Sequence, residues 1–136
     1  MLAAAARGRD MTQEILLVMT TCADADTAAR LAESLLERRL AACVNAIEDV
    51  NSTYRWSGRV ERAAETLLLI KTTPARYPAL ERHIREHSGY ELPEIVAVRS
   101  SGGLDTYLAW VHEETTTRAS DSRDGDNPGD NAHDER

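Results

Sequence analysis

Two histidines in this sequence have the spacing of a metal-binding pair. His83 and His87 lie four residues apart in the segment ERHIREHSGY. Residues four apart in a helix share one face, so both imidazole rings can point in the same direction. Imidazole nitrogens suit copper, zinc and nickel, and the spacing therefore indicates a candidate two-histidine metal site. The same segment carries Ile84, so a packed core histidine is the alternative interpretation of His87.

Recognisable catalytic motifs are missing from the sequence. It contains no Gly-x-Ser-x-Gly elbow, His-Glu-x-x-His helix, phosphate-binding loop or Cys-x-x-Cys pair. The segment TTCADAD after the first apolar run is acidic, whereas an acylphosphatase would need a glycine-rich, anion-binding loop with an arginine at that place. We therefore predict that the protein is not an enzyme.

The overall charge and the cysteine count limit the partners and the compartment. The 136-residue chain carries a formal net charge of -7, which disfavours nucleic acid and anionic membrane surfaces as main partners. No apolar segment reaches the length of a membrane span. The two cysteines, Cys22 and Cys43, are too few for a disulfide framework and are typical of reduced thiols or a core pair. These features predict a cytoplasmic protein without a nucleic-acid or membrane partner.

The hydrophobic pattern predicts the order β-α-β-β-α-β followed by a last helix, which is that of a ferredoxin-like α+β fold. Strands are predicted at 15–19, 41–56, 60–72 and 95–98, and helices at 24–38, 74–89 and 104–111. A hydroxyl cap at Thr73 with Pro74 at the first helical position should begin the second helix. The apolar stripe of the first helix is predicted to consist of Ala28, Leu31, Ala32, Leu35 and Leu36.

These elements make one domain, residues 13–117, between two extensions. Residues 1–12 offer nothing to fold and are predicted to be a disordered N-terminal extension. Residues 118–136 are rich in Asp, Asn, Ser and Gly, with two alanines as their only aliphatic side chains. Burial there cannot offset the entropy cost of ordering the chain, so a disordered acidic tail is predicted.

The long hairpin of the second and third strands predicts an oligomer. Residues 16–18, 67–70 and 95–98 are apolar on both faces of their strands, yet the two crossover helices cover one face only. Another copy of the chain is the simplest cover, because arms of about fifteen residues reach near 50 Å and can pair across subunits. The alternative is a bent, self-contained hairpin. Tyr54 and Trp56 at the tip are predicted interface anchors.

Several segments, in this order along the chain, resemble one family. They are LLERRLAACVN (35–45), YRWSGRVE (54–61), LLLIKTT (67–73), HSGYELPEI (87–95) and YLAWV (107–111). Together they make the chain similar to the CutA divalent-cation tolerance family over nearly all of residues 14–114. The resemblance implies a ferredoxin-like protein that forms a tight homotrimer with strand pairing between subunits. It also implies tolerance to copper and other divalent cations and binding of these ions, with no settled reaction.

The resemblance carries one copper ligand over to this chain. His87 matches the histidine that some family members use for copper, while Ser88 replaces their second histidine and Thr20 replaces their cysteine. Cys22, two residues beyond Thr20 and so on the same strand face, could supply the missing thiol. The expected site is a weak copper or other divalent-cation site at His87, with His83 and Cys22 as further candidate ligands.

Other polar residues that match the family allow a second function. Lys71, the only lysine in the chain, ends a strand of aliphatic residues, and Glu61, Tyr90 and Glu94 occupy further matching polar positions. They could anchor a small molecule in a cleft between subunits, or form ion pairs that fix the trimer. The family's trimers resemble PII signalling proteins in architecture. A PII-like small-molecule-binding or signalling scaffold without a metal role is therefore the alternative function.

Overall fold

Seven elements make up residues 13–117, the part of the chain that the computed structural model describes. The strands are β1 (Leu16–Cys22), β2 (Cys43–Trp56), β3 (Arg59–Thr72) and β4 (Ile95–Arg99). The helices are α1 (Ala25–Glu37), α2 (Tyr77–His87) and α3 (Asp105–Glu114). All strand pairs are antiparallel in the order β2-β3-β1-β4, which confirms the predicted ferredoxin-like α+β fold. The predicted disordered segments, 1–12 and 118–136, lie outside the described residues.

The main core lies between one face of the sheet and helices α1 and α2. Helix α1 begins at the cap residue Asp24, whose Oδ1 accepts a hydrogen bond of 2.7 Å from the Thr27 backbone N–H. Leu36, predicted to be in the apolar stripe of α1, is instead 43% exposed, because Leu35 occupies the centre of the buried face. The core includes Leu16, Val18, Cys22, Leu31, Leu35, Leu68, Ile70, Leu80 and Ile84.

The predicted start of α2 is wrong by three residues. Thr73 and Pro74 form a turn in which the Thr73 carbonyl accepts hydrogen bonds of 3.1 Å from the N–H groups of Arg76 and Tyr77. The helix begins at Tyr77, and the proline of its first turn is Pro78, where a missing N–H leaves no helical bond unmade. A proline in the turn that precedes a helix and a proline inside the first helical turn cannot be told apart by spacing alone.

The second face of the sheet is apolar and lacks a helical cover over most of its area within residues 13–117. Met19 of β1, for example, lies opposite Leu69 of β3 and Val96 of β4. Val96 and Val98 are 49% and 44% exposed. Helix α3 lies at one end, where Leu108 and Val111 pack with Ile15 in a second, smaller core. We call this surface the open face; it comprises Leu17, Met19, Leu67, Leu69, Val96 and Val98.

The hairpin of β2 and β3 extends beyond the rest of the sheet. Pairing between β1 and β3 ends at Cys22 and Thr66, so residues 59–65 of β3 pair only with β2. The turn residues Ser57 and Gly58 both have positive φ, 50° and 77°, as in the two-residue turns that suit strand twist. Fourteen residues at about 3.3 Å each give β3 a length of roughly 46 Å. We call residues 50–65 the arm.

Candidate functional site

His87, the last residue of α2, is exposed and held in one orientation. Its Nδ1 lies 2.8 Å from the His83 backbone carbonyl oxygen. A carbonyl can only accept, so Nδ1 carries the proton in this hydrogen bond. The neutral ring therefore keeps its lone pair on Nε2. In a typical metal-binding histidine, one ring nitrogen donates its proton to a carbonyl and the other, unprotonated nitrogen binds the metal.

His83 has the opposite arrangement and is buried, at 5% exposure. The Ser34 hydroxyl donates its hydrogen to the Leu31 carbonyl at 2.9 Å, so it must accept from His83 Nε2, which lies 2.8 Å away. Nε2 of His83 therefore carries the proton. Burial, followed by the charges of His87 and Arg38, lowers the pKa of His83 to about 4. The ring is neutral at physiological pH.

The two rings are close but are not arranged to grip one ion. Their centroids are 4.1 Å apart and their planes differ by 26°. Imidazole lone pairs lie in the ring plane, so stacked rings direct them side by side rather than toward a common point. The helical spacing correctly predicted their proximity, but the Ser34 contact that occupies His83 comes from a residue 49 positions away.

Cys22 lies in the core, fully buried, on the same face of β1 as Thr20. Burial, then the negative charges of Asp24 and Glu65, raise the pKa of the Cys22 thiol to about 11. Metals bind the thiolate, so this environment disfavours Cys22 as a ligand. Thr20 is also fully buried, and its hydroxyl oxygen has no hydrogen-bond partner among residues 13–117.

A polar groove of about 510 Å³ lies between the start of α1 and the end of α2. It contains one exposed imidazole, one carboxylate and one guanidinium group. Within residues 13–117, no group of three or more His, Cys, Asp or Glu side chains is close enough together to hold a metal ion. The groove is lined by Asp24, Thr27, Arg30, Ser34, His87 and Tyr90, among others.

The four predicted cleft residues do not come together within one chain. Lys71 lies at the far end of β3, where its Nζ contacts Asn45 Oδ1 and lies 3.9 Å from Cys43 Sγ. Glu61 is ten residues away along the same extended strand, or about 33 Å. Glu94 is exposed just before β4. The separation of Glu61 and Lys71 already follows from the strand predicted at 60–72, which contains both residues.

Tyr90 has a partner that the sequence analysis did not identify. Its hydroxyl donates a 2.7 Å hydrogen bond to Glu65 Oε2. Burial alone would raise the pKa of Glu65, but hydrogen bonds from Ser52, Tyr90 and Thr21 together lower it. Burial and the bond to Glu65 in turn raise the pKa of Tyr90. Glu65 and Leu67 share one face of β3 by strand alternation, but no spacing along the sequence relates Glu65 to Tyr90.

Tyr54 and Trp56, the predicted interface anchors, are exposed in the single chain. Their exposed fractions are 45% and 44%, large values for aromatic side chains on a strand. Tyr54 lies opposite Glu61 in the hairpin and contributes to the raised pKa of Tyr90. Both aromatic residues are therefore available for contact with another molecule.

Comparison with known proteins identifies the family. The family model of the CutA1 divalent ion tolerance protein matches residues 16–114. Mouse protein CutA is 40% identical over 95 residues, which are 70% of this chain and 54% of the mouse protein. The divalent-cation tolerance protein CutA of Thermus thermophilus is 40% identical over 99 residues, 73% of this chain and 96% of that protein. The match thus spans about half of the mouse relative.

Solved structures agree with these matches. CutA from Xylella fastidiosa superimposes with a TM-score of 0.74 at 38% identity, covering 75% of this chain and 98% of that chain. The Thermus thermophilus protein gives a TM-score of 0.74 at 39% identity, covering 75% of this chain and 99% of that chain.

Relatives are named for different compartments. The Arabidopsis thaliana relative, 35% identical over 100 residues, is called chloroplastic, and an Archaeoglobus fulgidus structure, 29% identical, is called periplasmic. None of the helices in residues 13–117 is long and apolar enough to cross a membrane. The cytoplasmic location stays a prediction. By its sequence and by its fold, the chain belongs to the CutA1 divalent ion tolerance protein family.

Proposed function

We propose that this protein is a homotrimeric divalent-cation tolerance protein that binds copper-type ions weakly, with His87 as the principal ligand. The observation that carries the proposal is the hydrogen bond from His87 Nδ1 to the His83 carbonyl. It leaves the Nε2 lone pair of an exposed ring free for a cation. No catalytic activity forms part of the proposal.

The weakness of binding follows from the number of ligands. His87 is one preoriented imidazole, and residues 13–117 contain no cluster of three ligating side chains. Asp24 lines the same groove and is a candidate oxygen ligand, while His83 and Cys22 would first have to leave their buried positions. Water or a neighbouring copy would complete the coordination shell. A single fixed histidine favours copper or zinc over magnesium or calcium, which prefer oxygen ligands.

The open face and the arm support the homotrimer. Apolar side chains such as Val96 and Val98 are about half exposed in one chain, and burying such surface contributes about 25 cal/mol per Å². The arm carries unpaired strand edges and the exposed aromatic residues Tyr54 and Trp56. Exposed apolar strands of this kind are normally covered by another chain.

Equilibrium dialysis with Cu²⁺ and with Zn²⁺ tests the metal role. His87→Ala should lose most of the affinity, because it removes the free Nε2. His112→Ala is the matched control: His112 also donates from its ring to a backbone carbonyl, from Nε2 to Glu14 at 2.9 Å, but it lies on α3 and does not line the groove. Cys22→Ser should behave like the wild type. Affinity that is unaffected by His87→Ala would refute His87 as the ligand.

A small-molecule scaffold is the second candidate function, and the groove favours it. The groove is about 510 Å³ in volume and combines Arg30 with the Thr27 and Ser34 hydroxyls, a set suited to a small anionic or polar molecule. The alternative predicts a bound organic ligand whose affinity depends on Arg30 and is indifferent to His87→Ala. Screening the purified protein against small anionic metabolites by thermal shift, with Arg30→Gln as control, separates the two functions.

A further inference from the structure

Glu65 lies at the point where the arm leaves the sheet. The last pair between β1 and β3 is Cys22 with Thr66, and Glu65 is the next residue along β3. From there to Arg59 the strand has only β2 as a neighbour. Glu65 and the residue opposite it, Val50, are therefore the first pair of the arm beyond the pairing of β3 with β1.

The partner strand has an irregularity at the same place. The register between β2 and β3 shifts between Ile47 and Val50, which places one extra residue in β2. Asp49, inside this shift, has a φ of 58°, in the left-handed region that few non-glycine residues adopt. Such a β-bulge bends the strand and increases its twist. Residues 47–50 with Glu65 thus form a bend at the base of the arm, which we call the hinge.

The Glu65 carboxylate ties this hinge to the loop after α2. The Tyr90 hydroxyl donates to it at 2.7 Å, and the hydroxyls of Ser52 and Thr21 also interact with it. A hydrogen bond to a charged acceptor is stronger than one between neutral groups. Three different segments therefore meet at one carboxylate: the end of β1, the arm and the loop.

The loop that carries Tyr90 begins directly after His87. Ser88 is buried and accepts a hydrogen bond of 3.2 Å from the Tyr90 backbone N–H, and Gly89 adopts a φ of 83° between them. Tyr90 lines the groove beside His87, and its hydroxyl donates to Glu65 at the base of the arm. One side chain thus connects the groove to the arm.

We propose that the Tyr90–Glu65 hydrogen bond is a latch that couples cation binding at His87 to the position of the arm. The proposal rests on the proposed function, in which His87 binds the cation and the arm assembles the trimer. Coupling of this kind is reciprocal: what steadies the arm strengthens binding at His87, and binding at His87 steadies the arm. The loop and the hinge are the two parts that move together.

Tyr90→Phe tests the latch, since it removes the hydroxyl and keeps the ring. In the metal-free protein, amide hydrogen exchange of the arm and of residues 88–94 should become about tenfold faster, the effect of losing one charge-assisted bond. Tyr77→Phe is the matched control, because Tyr77 also donates to a glutamate, Glu81, at 3.4 Å on α2. It should leave the arm unchanged. Arm exchange that is equal in Tyr90→Phe and wild type overturns the latch.

Glu65→Gln gives a graded second test. The amide oxygen can still accept from Tyr90 but without charge, so exchange should be intermediate between wild type and Tyr90→Phe. Zn²⁺ affinity, measured by dialysis on the same proteins, should fall severalfold in Tyr90→Phe and not in Tyr77→Phe. Unchanged Zn²⁺ affinity overturns the coupling. If the wild type does not bind Zn²⁺, the proposed function is refuted, and so is the coupling of the latch to cation binding. The hydrogen exchange of the metal-free proteins still tests whether the Tyr90–Glu65 bond holds the arm.

Discussion

The His83 and His87 rings are stacked at 4.1 Å, yet their hydrogen bonds give them opposite tautomers. His83 donates through Nε2 to Ser34, and His87 donates through Nδ1 to the His83 carbonyl. The buried ring is thereby used for structure and the exposed ring is left with a free Nε2. Of the two histidines predicted as candidate ligands, His83 therefore has a structural role and His87 is the one available to a cation.

The low pKa of His83 predicts a loss of stability in mild acid. Burial, followed by the charges of His87 and Arg38, lowers its pKa from 6.5 to about 4, so the unfolded chain binds a proton that the folded chain rejects. Stability is complete above about pH 6.5 and falls as the pH drops toward 4, by up to about 1.4 kcal/mol per pH unit. Urea unfolding at fixed protein concentration between pH 4.5 and 7 measures this slope.

His83→Gln is the control for this slope. Glutamine can still donate to Ser34 but does not titrate, so the variant should lose most of the pH dependence in this window. Asp24 and Glu65 have lowered pKa values, from 3.8 and 4.5, so their stabilisation begins to be lost only near the acidic end of this window, and they contribute equally to the wild type and to His83→Gln. An identical slope in wild type and His83→Gln would contradict the assignment.

Leu35 and Leu36 should respond very differently to truncation. Leu35 is fully buried and Leu36 is 43% exposed, although they are neighbours on the same helix. Leu35→Ala leaves a cavity in the main core and should cost about 2–5 kcal/mol. Leu36→Ala should cost less than about 1 kcal/mol. Denaturant unfolding of both variants at one protein concentration measures the two losses of stability. Equal losses would contradict the placement of Leu35, and not Leu36, in the core.

Trp56 tests the assembly through the arm. Trp56→Asp adds a charge to an exposed apolar side chain at the end of β2, and sedimentation velocity should show a shift from about three chain masses toward one if that side chain is buried between subunits. Ser57→Asp is the matched control, since it adds the same charge one residue away at a positive φ that aspartate tolerates. Trp56→Asp that assembles like the wild type would leave Trp56 on the surface.

Much of the fold could be predicted from sequence because its signals are local. The aliphatic runs of β1 and β3 and the short connection between β2 and β3 each depend on a few neighbouring residues. The misplaced start of α2 also has a local cause, since Pro74 and Pro78 are both compatible with a helix N-terminus.

The site could be predicted only in part because its decisive contacts are distant in sequence. Helical spacing brought His83 and His87 together correctly. Their tautomers depend on Ser34, and the Tyr90–Glu65 bond joins residues 25 positions apart. Such contacts follow from the packing of helices and strands and leave no pattern along the chain.

The tautomer of His87 is the most direct test of the account. Nitrogen-15 NMR of the histidine rings, at a pH where they are neutral, should show His87 protonated on Nδ1 and bare on Nε2. Stepwise addition of Zn²⁺ should then shift the His87 Nε2 signal before that of any other of the four histidines. A proton on His87 Nε2, or a first response from His83 or His112 with His87 unchanged, would contradict the assignment of His87 as the ligand.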